Sequence, residues 1–200
     1  MENELFNYYK NALSGSLGEP LCAEYKNEWR AVKDNKEELV KLVMRQQSIP
    51  HFATFCHNKL GLTKKYILSE FGNYINGYTI HDADGVDGYT YGIYVDWDYD
   101  TDLDVDKDVI HVMWTVGATL FIPKTKCPTI YISNKSKVHL VCEGFNSVRV
   151  YMFDKSELTI EDCDNDCSVT VLKYSDKCKV ERGKFCLSEK IKEFNKELKL

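Results

Sequence analysis

IYISNKSKVHLVCEG (Ile130–Gly144), VYMFDKSELTIEDCD (Val150–Asp164) and TVLKYSDKCKVERGK (Thr170–Lys184) follow one another in steps of twenty residues. Written beneath each other they form columns. Ile130, Val150 and Thr170 align, as do Ile132, Met152 and Leu172. So do Val138, Leu158 and Cys178, and then Leu140, Ile160 and Val180. A polar column of Ser136, Ser156 and Asp176 marks the break between two alternating runs. A short fixed period of this kind predicts a solenoid, whose repeats bury their apolar faces against their neighbours. The segment IHVMWTVGATLFI, residues 110–122, fits one step earlier, with Ile110 and Val112 under Ile130 and Ile132. That makes about four coils, and at about 4.8 Å per coil a stack about 20 Å long.

Outside the repeat the texture changes twice. Residues 1–76 have helical periodicity. Elements are expected over Glu4–Leu13, over Leu21–Val32, from Asn35, from Pro50 and from Thr63. Asn35 with Glu38 three residues on, and Thr63, have the placing of N-caps. Tyr25, Trp29 and Val32, then Leu39, Leu42 and Val43, and then Tyr66, Ile67, Phe71 and Ile75 form the apolar faces. Residues 77–108 are rich in turns and then in aspartate. Residues 109–187 form the solenoid, and 188–200 are predicted as a capping helix, with Ser188 at its start and Ile191, Phe194 and Leu198 on one face. The expected class is therefore α+β: a helical N-terminal region packed on a short parallel β-solenoid and closed by a C-terminal helix.

With 200 residues, 44% of them hydrophobic, the chain is long enough for one cored globular protein. The net charge of −5 argues against general nucleic-acid binding, and its placing is uneven. Residues 77–108 hold ten acidic groups and one basic, whereas the flanking regions are near balance. No run approaches the eighteen or so apolar residues of a spanning helix, and the acidic start lacks the features of a secretory signal. The eight cysteines form no CxxC pair, so the expectation is reduced thiols in the cytoplasm.

The acidic stretch is the sharpest local feature. Asp96, Asp98, Asp100, Asp102, Asp104, Asp106 and Asp108 occupy every second position. On an extended chain that places the carboxylates on one face, neighbours roughly 6.6 Å apart, with Val95, Trp97, Tyr99, Leu103 and Val105 behind them. Such a row could meet a basic protein partner or hold a divalent cation, or act only to keep sheet edges apart. The EF-hand pattern is not met, because Thr101 stands at its glycine position and Lys107 at its twelfth. His111, Tyr131 and Tyr151 share a column that alternates with the core and so should face outward as a binding surface, and His139, Thr159 and Lys179 form a second such column.

Other constellations are less specific. Lys64, Lys65 and Tyr66, in the first turn of a helix after a break at Gly61, allow a helix-turn-helix reading and an alternative as a DNA-binding regulator. Cys56-His57 and the Cys163/Cys167 pair raise zinc or thiol chemistry, but the histidines are scattered, and thiols in repeat columns serve as small hydrophobes. There is no GxSxG, Walker A or GxGxxG motif, so no catalytic residue is assigned. A small carbohydrate-active β-helix using paired carboxylates is a further alternative.

The helical stretch EELVKLVMRQQSIPHFATFC with GLTKKYILSEFGNYINGY, and the repeat SNKSKVHLVCEGFNSVRVYMFDKSELTIED, resemble proteins of gut Bacteroides and their phages with no characterised activity. That resemblance implies a phage- or mobile-element-encoded accessory protein, in the host cytosol or the virion, and carries no catalytic residue. The resulting expectation is a non-enzymatic protein that binds a protein partner through the acidic strip and the aromatic column.

Overall fold

The computed structural model describes residues 23–44, 63–77, 79–81, 90–97 and 102–196. The helices expected over Glu4–Leu13 and from Pro50 lie outside these residues. Three helices fall where periodicity placed them: α1 (Ala23–Ala31), α2 (Lys36–Met44) and α3 (Lys64–Phe71). Asn35 Oδ1 accepts from the amide of Glu38 at 3.2 Å, and Thr63 Oγ1 from the amide of Tyr66 at 3.2 Å, so both expected caps are made. Trp29, Leu39, Leu42, Ile67, Phe71 and Ile75 are buried.

The strands are β1 (Ile80–His81), β2 (Thr90–Val95), β3 (Asp102–Asp104), β4 (Val109–Met113), β5 (Val116–Ile122) and β6 (Thr129–Ser133). They continue as β7 (Lys137–Cys142), β8 (Ser147–Met152), β9 (Glu157–Cys163), β10 (Ser168–Lys173), β11 (Lys179–Cys186) and β12 (Ile191–Asn195). From β2 onward, successive strands alternate between two sheets. One runs β1-β2-β4-β6-β8-β10-β12 and the other β3-β5-β7-β9-β11. Every pairing is parallel except β1 with β2. The protein is thus a parallel β-solenoid of about five turns, with few helices among the described residues.

Between the sheets lies one continuous apolar core, including Ile110, Ile130, Val150, Val171 and Ile191 from one side and Leu120, Leu140, Leu158 and Ile160 from the other. Strand alternation explains its composition: inner residues of β9 are buried, whereas Thr159 and Glu161 between them are half-exposed. At the bend between sheets a polar column replaces the apolar ones. Thr115 donates its amide to Ser136 Oγ, and Ser136 donates its hydroxyl to Ser133 O at 2.6 Å. The amides of Lys137, Glu157 and Lys179 bond to Thr115 O, Ser136 O and Ser156 O, which ties each turn to the one before.

Three expectations are corrected. The solenoid begins earlier than residue 109, because β2 and β3 already pair in parallel with β4 and β5. The repeat also lengthens toward the C-terminus: Val150 pairs with Val171, and Leu158 with Val180. Thr170 and Leu172 therefore oppose Arg149 and Tyr151 on the outer face, and the Ser136–Ser156 column continues in Cys178, not Asp176. Finally, residues 191–195 form the strand β12 and not a capping helix. Ile191 opposes Val169 and extends the inner column, while the backbone pairs with the otherwise open edge of β10. An unpaired edge next to the segment outweighs the weak helical preference of IKEFN.

Gly183 marks an irregularity where a glycine is required by space. It sits in the register shift of β11 between Arg182 and Phe185. A Cβ there would lie 2.7 Å from Glu161 O and 3.0 Å from Glu161 Cα. Both are backbone atoms of the neighbouring rung and cannot rotate away. Gly183→Ala is expected to lower stability by about 1–3 kcal/mol, the range of an overpacked site, as read from the urea unfolding midpoint.

Candidate functional site

The acidic row does not form one uninterrupted face. Asp96 follows the end of β2 with φ +50 and is ion-paired with Lys64. Asp98 and Asp100 lie outside the described residues. Asp102 and Asp104 flank the inward Leu103 on β3, and both are exposed. Asp106 is exposed and accepts from Lys107 Nζ at 2.8 Å, a charge-assisted bond that holds its carboxyl below the usual range. The stem of Lys107 is buried, and its ammonium lies 5.8 Å from the centre of the Tyr94 ring. Asp108 turns back to the strand ahead of it: its Oδ2 accepts from both the amide and the hydroxyl of Thr90, each at 2.9 Å. Among the described residues no three of these carboxylates converge as a cation site would require.

What remains of the row lies at one end of the solenoid. β3 has β5 as its neighbour on one side and, among the described residues, none on the other. Its exposed carboxylates therefore flank a hydrogen-bonding edge that no described strand covers.

The aromatic column exists, but much of it is covered. His111 and Tyr131 are buried, and Tyr151 is half-buried. The Tyr131 and Tyr151 rings stack 4.8 Å apart at 10°, the spacing of adjacent rungs. The stack continues to Tyr174, 6.3 Å from Tyr151 and 5.0 Å from Phe153, a continuation that equal twenty-residue steps did not reveal. His111 Nε2 lies 3.1 Å from Ser133 Oγ. Because the Ser133 hydroxyl donates to Asn134 Oδ1 at 2.7 Å, the imidazole proton is assigned to Nε2. Complete burial lowers the pKa of His111 to about 3, so the ring is neutral.

On the opposite sheet the second outer column is self-compensating. His139 Nδ1 is 2.6 Å from Glu161 Oε1, and Glu157 lies between Lys137 at 2.8 Å and Lys179 at 3.8 Å. Lys179 pairs with Glu157 and not with Thr159, so the column expected for it is occupied by Glu181.

Of the residues considered for nucleic acid, Lys64 is committed to Asp96, and the half-buried Tyr66 makes an edge contact with Phe71, which leaves Lys65 exposed. Cys56 and His57 lie outside the described residues. The Cys163/Cys167 pair is brought together with a third thiol, Cys142. No helix among the described residues is long and apolar enough to cross a membrane.

No known protein family matches the chain, and neither a curated protein nor a solved structure matches it. The class defined by the strand topology is that of a short parallel β-solenoid.

Proposed function

We propose that this chain is a non-enzymatic interaction protein that binds a basic protein partner at the acidic end of its solenoid. The observation that carries the reading is the coincidence of a strand edge uncovered among the described residues with exposed Asp102 and Asp104 on β3. A partner strand bearing Lys or Arg would add backbone hydrogen bonds along that edge and place its cations against the two carboxylates. Tyr151, half-buried in the stacked column, offers a second, aromatic contact, whereas His111 and Tyr131 act within the fold.

The same proposal includes the packing of the helical N-terminal region on the outer face of the seven-stranded sheet. It is supported by the burial of Tyr91, Ile93, Val95, Val109, His111 and Met113, which point away from the inner core. It is also supported by Asn76, which follows α3: its side chain donates to Val95 O at 2.9 Å and accepts from the Val95 amide at 2.8 Å. The free thiols of the six described cysteines agree with a cytoplasmic setting. The resemblance described above would make the protein an accessory factor of a phage or mobile element. The DNA-binding alternative has less support, because one of its two lysines already has an acidic partner.

Pull-down from lysate with wild type and with Asp102→Asn/Asp104→Asn tests the reading. The double variant is expected to lose at least one basic partner that wild type retains, with binding weakened further by added salt. Identical partner sets in the two proteins would remove the acidic edge from the argument.

A further inference from the structure

The inner column of the five-stranded sheet changes from carbon to sulfur along its length. Ile122 on β5 pairs with Cys142 on β7, Cys142 with Cys163 on β9, and Cys163 with Cys186 on β11. A fourth thiol joins them from the bend after β9. Cys167 immediately precedes Ser168, which pairs with Ser147, so it occupies the place that Asn146 has one turn earlier. There Asn146 donates its amide to Pro123 O at 2.7 Å; here the corner is filled by sulfur instead. The Sγ atoms of Cys142, Cys163 and Cys167 all lie within 4.8 Å of one another, and all three side chains are buried. Cys186 is half-buried and is the register partner of Cys163 on the next rung.

We propose that Cys142, Cys163 and Cys167 form a binding site for a thiophilic divalent ion of the zinc class, with Cys186 as the fourth ligand. Packing alone does not require this set. The column is satisfied by an isoleucine at Ile122, and it turns to cysteine on the rungs that Cys167 faces. Four thiolates around zinc at about 2.3 Å stand about 3.8 Å apart, so the three sulfurs need shift by no more than about 1 Å to reach tetrahedral geometry. All-sulfur donor sets select soft and borderline ions over calcium or magnesium.

Binding exchanges protons for the metal: each thiol releases one as its sulfur bonds to the ion, and the thiolates left behind are neutralised in part by the divalent charge. Burial and the neighbouring Cys163 push the Cys186 thiol up, while Arg182 pulls in the opposite direction and would offset the residual negative charge. The Ser188 hydroxyl donates to Cys167 O and the amides of Leu187 and Ser188 bond to Cys163 O, which holds two ligand-bearing segments in place. Such outer contacts orient ligands and tune affinity.

The test uses the full chain, reduced and metal-free, under anaerobic conditions. It is titrated with Zn2+ against a chromophoric chelator, and separately with Cd2+, whose thiolate complexes absorb in the ultraviolet. Wild type is expected to take about one ion per chain, with a cadmium–thiolate band and a rise in Tm on loading. Cys163→Ser/Cys167→Ser should lose both signals, whereas Cys127→Ser, at an exposed site, should keep them. Cys142→Val preserves an apolar side chain for the core and is expected to bind more than about 100-fold more weakly while circular dichroism confirms its fold. Folded, reduced wild type that leaves the chelator's zinc untouched would overturn the proposal. So would undiminished binding by the double serine variant, or a site that takes Cu+ while refusing Zn2+.

Discussion

Lowering the pH from 7 to 4 is expected to remove about 3 kcal/mol of stability through His111 alone. The folded ring is fully buried and its pKa is lowered from 6.5 to about 3, so it stays neutral over that range. The unfolded chain takes up a proton on the same imidazole once the pH falls below about 6.5. Between those two values the unfolded state binds more protons, and stability falls by about 1.4 kcal/mol per pH unit. Above 6.5 the term vanishes, since both states are neutral. Urea unfolding of wild type and His111→Gln at pH 7, 6, 5 and 4 isolates the effect. The amide of glutamine can still donate toward Ser133 but does not titrate. Wild type should lose about 3 kcal/mol more than the variant across the range. Parallel loss in the two proteins would show that His111 titrates normally. Asp106 and Glu157, held below the usual carboxylate range by hydrogen bonds from Lys107 and Lys137, add acid lability at lower pH, and they do so equally in both proteins.

A second large effect is expected inside the core. Ile160 is 0% exposed and pairs across the rung with Leu140, also 0% exposed. Ile160→Ala should destabilise the protein by about 3–4 kcal/mol, from lost transfer energy and a cavity that stacked rungs cannot close easily. Ile160→Val should cost only about 1 kcal/mol. Thr159→Ala, one residue away on the half-exposed outer face, should stay within about 0.5 kcal/mol. The urea midpoint at unchanged slope measures all three. Equal effects at 159 and 160 would contradict the two-sheet assignment of inner and outer faces.

The middle of the solenoid was legible because its geometry is local. Ile110, Ile130 and Val150 hold a strict twenty-residue spacing, and alternation about each of them reports burial directly. Legibility failed where turn lengths drift. After Met152 the next turn gains a residue and the one after it gains more, so that Thr170 and Leu172 leave the core columns and Val169 and Val171 enter them. All five residues of β12 pair with β10, and three of them, Lys192, Glu193 and Asn195, are polar, so side-chain periodicity does not contain the signal. The thiol cluster was half-visible. Cys163 and Cys167 lie four residues apart in sequence, but Cys142 reaches them only through a rung of 21 residues, which a fixed step of twenty misaligns by one.

The acidic row shows the same division. Period two in aspartate correctly places Asp102 and Asp104 outward around Leu103, because that alternation is a property of an extended chain. It could not foresee that Asp96 would turn to Lys64, or that Asp108 would fold back on Thr90, since those partners are distant in sequence.

By itself, then, the sequence determined a parallel repeat, its inner columns as far as Ile160 and the helix caps, all consequences of short-range periodicity and local hydrogen bonding. Tertiary structure alone decided which outer side chains are covered and which thiols meet. It also decided that the last segment joins the sheet. Each of these depends on what lies opposite a residue across the stack, and that is set by turn lengths and open edges that periodicity does not encode.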